Sequence, residues 1–152
     1  MASSFLGKLR ALEDRLVAAA APFLLLLLRL VFGYALLRTG WGKLNNLDGV
    51  TQFFTSLGIP APGLNAMVVA TLEFAGGILL LLGLLTRTAA GVLIPVMLVA
   101  LLTAHREELA KIFENPGATV GAAPVPFLVA VIALALSGAG PFSLDRLISG
   151  RK

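Results

Sequence analysis

The sequence predicts an all-α integral membrane protein: a four-helix bundle with a short amphipathic helix at its N-terminus. Three observations lead there. Of 152 residues, 58% are hydrophobic and only 13% charged, which leaves too little polar surface for a water-facing globule. The apolar residues come in long blocks, such as 22–37 and 78–85, and the mean hydropathy is +0.94. At about 20 residues per crossing, a single domain over 1–152 holds four spans with short connections. A soluble enzyme and a nucleic-acid-binding domain are excluded on this ground. The pI near 10.1 reflects a net charge of only +4, which in a membrane chain serves orientation and contact with lipid headgroups.

In the first stretch, Phe5, Leu9, Leu12 and Leu16 recur at helical spacing, with Lys8, Arg10, Glu13, Asp14 and Arg15 between them. That pattern suits a short helix lying on the membrane surface. It is not a signal peptide, because the apolar region that follows exceeds twenty residues, includes Arg29 and ends in no small-residue cleavage site. Spans are expected at about 22–44, 63–85, 88–105 and 124–140. Pro22 stands where a helix start tolerates proline, and Pro95, inside the third span, predicts a kink.

The connections carry structure of their own. Asp48 is placed to cap a short helix with Val50, Phe53, Phe54 and Leu57 on one face, ended by Gly58 and turned back by Ile59-Pro60-Ala61-Pro62. Such a helix lies in the interface or dips over the bundle mouth. After the third span, Arg106 to Phe113 continues helically until Asn115-Pro116-Gly117 breaks it. Counting Lys and Arg by side gives seven with the termini (Lys8, Arg10, Arg15, Arg87, Arg146, Arg151, Lys152) against four opposite (Arg38, Lys43, Arg106, Lys111). The excess places both termini in the cytoplasm.

Two charges stand where lipid is expected. Arg29 is about eight residues into span one and Glu73 about ten into span two, so at 1.5 Å per residue each reaches roughly the middle of the bilayer. An unpaired charge there costs about 2.5–3.5 kcal/mol even on the lenient insertion scale. Opposite charges at matching depth on consecutive antiparallel helices predict an Arg29–Glu73 pair. At about 100° per residue, Arg29, Gly33, Gly40 and Lys43 share one stripe of span one, with Arg38 on the opposite face. Glu73, Gly77 and Leu80 share a face of span two. The glycines allow close helix packing or leave room for a ligand. Lys43, Trp41 and His105 stand at the outer mouth of this polar line.

The chain has no cysteine and one histidine. Thiolate chemistry, iron–sulfur ligation and a protein-held metal are therefore not expected, nor is a covalently bound cofactor. Any redox role borrows a diffusible carrier or a partner's cofactor.

These residues resemble a known family. Arg29 with Gly33, then Gly40-Trp41-Gly42-Lys43-Leu44 and Gly58-Ile59-Pro60, looks like the opening of the DoxX family. Glu73-Phe74-Ala75-Gly76-Gly77 running into Leu82-Gly83-Leu84-Leu85-Thr86-Arg87 resembles its second-helix signature. Gly138-Ala139-Gly140 with Ser143-Leu144-Asp145 is similar to its closing motif. The likeness covers about residues 25–146 and departs at two places. Thr39 stands where the family often has His before the glycine–x–x–Lys element, and Ala139 stands where it usually has Pro. The resemblance implies a four-helix protein of the bacterial inner membrane. Some relatives are the small membrane subunit of a thiosulfate:quinone oxidoreductase, and others belong to membrane complexes handling thiol or oxidative stress.

The leading expectation is thus a membrane subunit of a quinone-linked oxidoreductase system that anchors a soluble or peripheral partner. Arg29 and Lys43 bind the quinone carbonyls, Glu73 holds Arg29 or accepts a proton, and Trp41 and His105 flank a pocket opening to the outer leaflet. The alternatives are a non-catalytic scaffold or assembly protein, and a transporter of small molecules or lipids. Small-residue faces also suit a homo-oligomer. Lipids and quinones that co-purify with the protein discriminate among these.

Overall fold

The computed structural model describes residues 2–150, with the side chains of 2–6, 8 and 9 outside the description. Eight helices and no strand form among the described residues: α1 (Ala2–Leu44), α2 (Leu47–Ser56), α3 (Pro62–Leu82), α4 (Thr86–Thr103), α5 (Arg106–Ala110), α6 (Pro116–Gly121), α7 (Pro124–Ser137) and α8 (Leu144–Ser149). The four longest elements that bear apolar spans, α1, α3, α4 and α7, make the bundle. α1 packs along α3, and α7 lies against α4 and α1. Their shared core is Leu36, Leu80, Ala89, Ala90, Leu93, Met97, Val131 and Leu134, with Phe32 of α1 meeting Phe127 of α7 edge to face. Apolar side chains elsewhere on these helices, such as Phe23, Leu27 and Val31, face outward. This is the outside-in pattern of a bundle solvated by lipid.

The N-terminal residues are helical as expected but do not form a separate helix. α1 is one helix of 43 residues that passes through Pro22 without a break. At 1.5 Å per residue it is about 65 Å long, roughly twice the hydrocarbon core. Pro22 withholds one N–H from the carbonyl of Ala18, which sits in a stretch, 10–20, that is exposed throughout. Water can serve that carbonyl, so the ladder survives the missing bond. The bundle begins only where Phe23 meets Phe142 and Leu25 meets Gly140.

The remaining elements follow from their end signals, with three corrections, the first being that the helix after α4 is separate from it and ends at Ala110, short of Phe113. α2 is capped by Asn46, whose Oδ1 accepts from Gly49 N at 3.3 Å, and Asp48 sits inside the first turn, where its charge meets the helix dipole. Asn115-Pro116-Gly117 starts a helix instead of breaking one: Asn115 Oδ1 accepts from Ala118 N and Pro116 occupies the first turn of α6. α4 continues through Pro95. α7 has only 14 residues, about 21 Å of rise against a core of about 30 Å. The stretch between Ser137 and α8, 138–143, continues it as irregular backbone.

Candidate functional site

Two polar centres lie in the bundle, one toward each end. The first is built around Arg29, which is 2% exposed. α3 stops at Leu82 because Gly83 takes a left-handed φ of +65° and folds the chain back, with Gly83 N on Leu80 O and Leu84 N on Leu79 O. Arg29 donates to the carbonyls at this helix end: Nε joins Gly83 N on Leu80 O at 2.9 Å, and Nη2 reaches Leu81 O at 3.1 Å. Its Nη1 donates to Ala139 O at 3.0 Å and Phe142 O at 2.6 Å. Irregular backbone is tolerated at membrane depth only where protein groups satisfy it, and one guanidinium with five donors does so here.

Asp145 works beside it. Its carboxylate accepts from Leu85 N at 2.7 Å and Thr86 N at 3.0 Å, capping α4 from a distant part of the chain, because Leu85 offers no side-chain cap of its own. Asp145 N in turn donates to Gly83 O at 2.8 Å. The end of α3, the start of α4 and the segment after α7 are therefore locked together by Arg29 and Asp145.

The expected Arg29–Glu73 pair does not form. α1 begins twenty residues before Pro22, so depth counted from Pro22 does not locate Arg29, which lies level with the last turn of α3. Glu73 is seven residues back along α3, about 10 Å by helical rise. Its partner is Lys43, in the last turn of α1, with Nζ to Oε1 at 2.6 Å. The other carboxylate oxygen, Oε2, is buried and has no hydrogen-bond partner.

This second pair stands on the wall of a cavity of about 530 Å³. α1 contributes Leu36, Thr39 and Lys43, α3 contributes Val69 and Glu73, and α4 contributes Met97 and Ala100. Val50, Phe53 and Phe54 of α2, with Leu57 at its C-cap, close over it, so the amphipathic face of α2 does dip over the bundle mouth. The wall is largely apolar. Phe53 and Val99 of the lining are half exposed, so the cavity is not sealed from its surroundings. His105 also lines it. Its Nδ1 is buried without a hydrogen bond and lies 3.7 Å from Glu108 Oε1, beyond hydrogen-bonding reach.

The structure thus brings together three of the five residues named as ligand-binding: Lys43, Glu73 and His105. Arg29 belongs to the other centre. Trp41 points away from the cavity, 55% exposed, with its ring centroid 5.6 Å from that of Phe74. Gly33, Gly40 and Gly77 lie along the α1–α3 crossing: a Cβ on Gly40 would collide with the Phe74 backbone, and one on Gly77 with Leu37. That stripe is filled by the facing backbone, and the cavity lies beside it. Thr39, Asn46 and Asn65 line the cavity too, and only Thr39 carried a signal, four residues before Lys43 on the same stripe. Among the described residues no cluster of three His, Asp or Glu is placed to hold a metal ion.

The DoxX family pattern matches residues 24–106, just over half of the chain. The chain belongs to the DoxX family. The match takes in both members of the Lys43–Glu73 pair and His105, and stops before the segment that Arg29 and Asp145 secure. The chain is 32% identical to Inner membrane protein YphA of Escherichia coli over 134 residues, covering 84% of this chain and 92% of the relative. It is 29% identical to Inner membrane protein YqjF of the same organism over 130 residues, covering 82% and 91%. A Bacillus subtilis protein named "Putative oxidoreductase CatD" is 39% identical over 74 residues, 49% of this chain and 53% of that one. No solved structure matches the chain. As a DoxX protein with three helices long and apolar enough to cross a bilayer, α3, α4 and residues 10–44 of α1, it is a membrane protein.

Proposed function

We propose that this DoxX protein is a membrane subunit of a quinone-linked oxidoreductase system, holding a quinone headgroup in the α2-covered cavity and anchoring a partner at the opposite end. The observation that carries the reading is the Lys43–Glu73 pair on the wall of a mostly apolar cavity. A quinone needs a few hydrogen-bonding groups for its head and lipid access for its tail. Lys43 Nζ keeps donors beyond the one given to Glu73, and the half-exposed Phe53 and Val99 of the lining are where the tail would leave. The sequence has no cysteine, and on this reading electrons come from a partner. The likeness to a relative named as an oxidoreductase supports the same class.

The excess of Lys and Arg beside the termini, together with relatives named as inner membrane proteins, supports an inner-membrane location with both termini cytoplasmic. The exposed part of α1 before Pro22 then projects into the cytoplasm, with Arg10, Glu13, Asp14 and Arg15 available to a partner. That projection also favours the second reading, a scaffold that only anchors.

Titration of a decyl-substituted benzoquinone into the protein in nanodiscs tests the first reading. Trp41 lies two residues from Lys43 on the outer face and reports a quencher arriving nearby. Saturable quenching that weakens in Lys43→Ala is expected. Quenching that rises linearly and equally in both proteins would mean simple partition into lipid and would leave the scaffold reading.

A further inference from the structure

The Lys43–Glu73 pair is one-sided. Glu73 Oε1 receives Lys43 Nζ, while Oε2, on a side chain only 5% exposed, receives nothing. A buried carboxylate oxygen without a donor is costly, and the cavity wall does not supply one. Thr39 Oγ1 is turned to Leu36 O and Thr103 Oγ1 to Val99 O. Asn65 Nδ2 donates to Pro60 O, and neither Asn46, whose Oδ1 accepts the cap bond of α2, nor His105 is bonded to Glu73 Oε2. Oε2 itself is closed to solvent, so an entering group supplies the missing donor only as the Glu73 carboxylate turns about its soft terminal torsion toward the cavity that the residue lines.

Resting on the quinone reading, we infer that the cavity selects the reduced, hydroxyl-bearing form of its ligand, a hydroquinone, over the oxidised quinone. A hydroquinone hydroxyl donates one hydrogen bond and accepts others. It can donate to Glu73 Oε2 while its oxygen accepts from a second proton of Lys43 Nζ, so both members of the pair are completed by one group. A quinone carbonyl only accepts. It satisfies Lys43 and leaves Oε2 bare. The difference is one hydrogen bond to a charged acceptor in an apolar surround, the kind that carries specificity because its absence strands a buried group. The expected preference is about tenfold or more. A tenfold preference for the reduced form raises the two-electron midpoint potential of the bound couple by about 30 mV. The protein would thus hold its ligand as a poised reductant or as a product awaiting release.

Anaerobic calorimetric titration of the protein in nanodiscs tests this, with empty nanodiscs as the partition blank. Three probes are compared: a decyl-substituted benzoquinone, its hydroquinone, and the dimethyl ether of that hydroquinone, which keeps the oxygens and lacks both donors. The hydroquinone is expected to bind about tenfold tighter than the other two, and Glu73→Gln to bring it level with the quinone. Equal affinity of hydroquinone and quinone for the wild-type chain would overturn the inference and leave the quinone site standing, as would a preference untouched by Glu73→Gln. If that variant fails to fold, the ether against the hydroquinone in the wild-type chain decides, equality overturning the inference. No saturable binding of any probe would overturn the quinone reading itself.

Discussion

Arg29→Met removes all five donors while keeping an unbranched side chain of similar reach, and so isolates what the guanidinium does. Leu80 O retains its bond from Gly83 N. Leu81 O, Ala139 O and Phe142 O have no other recorded partner and are left orphaned in or beside the bundle. The methionine also relieves the cost of burying a charge, so the low end of the range for an orphaned group applies. At about 1 kcal/mol for each carbonyl, the loss is about 3 kcal/mol. A chain of this size melts about 2–4 °C lower per kcal/mol, so the expected drop is about 6–12 °C. Arg29→Lys, with one ammonium in place of a fork, reaches only part of the set and falls between. The assay is a circular-dichroism melt in a mild detergent. A methionine variant melting within about 2 °C of wild type would refute the view that Arg29 substitutes for missing backbone bonds. The double variant with Glu73→Gln sharpens the point. Sites about 10 Å apart without shared partners give additive losses, whereas a direct pair would give strong coupling.

Three further outcomes follow from the same geometry. Lys43→Met and Glu73→Gln are expected to couple in a double-mutant cycle by about 0.5–3 kcal/mol, and independent losses would break the pair. Asp145→Ala uncaps α4 and is expected to cost about 1–2 kcal/mol, read in the same melt, with no change if water replaces the carboxylate. Gly40→Ala drives a Cβ into the Phe74 backbone and is expected to cost about 1–3 kcal/mol, whereas Gly42→Ala, which meets nothing, is expected to be neutral or slightly stabilising. Equal melts for the two alanine variants would show that α1 and α3 do not approach as closely as described.

The spans were legible because they rest on hydropathy and on end signals that act locally. Gly83 and Pro62 bound α3 close to where the sequence places them. The face of α2 was legible too, since Val50, Phe53, Phe54 and Leu57 need only helical spacing to line up. Partnership between charges was not. Facing along a helix is a local property, and Arg29 and Lys43 do share a stripe of α1. Which of them meets Glu73 depends on the axial offset of α1 against α3, and that offset is set by where α1 emerges from the bundle. Because α1 runs on past Pro22, nothing in its own sequence marks the level of the bundle's end. Phe142 and Gly140 mark it, from more than a hundred residues away. Asp145 as the cap of α4 was hidden for the same reason: a cap is sought next to its helix, and this one arrives from the chain's other end. The orphaned Glu73 Oε2 is a feature of side-chain geometry that no spacing encodes.

The most direct test of the central claim, that the α2-covered cavity holds a lipid-soluble quinone, is to purify the protein in mild detergent, extract it with organic solvent and quantify quinones by mass spectrometry. Ala100→Phe, which fills the cavity from α4, is purified in parallel. The account predicts quinone near one per chain in the wild type, well above its proportion in the surrounding membrane lipid, and a sharp loss in Ala100→Phe with the fold intact. Quinone at no more than the bulk membrane proportion, or equal amounts from both proteins, would contradict it.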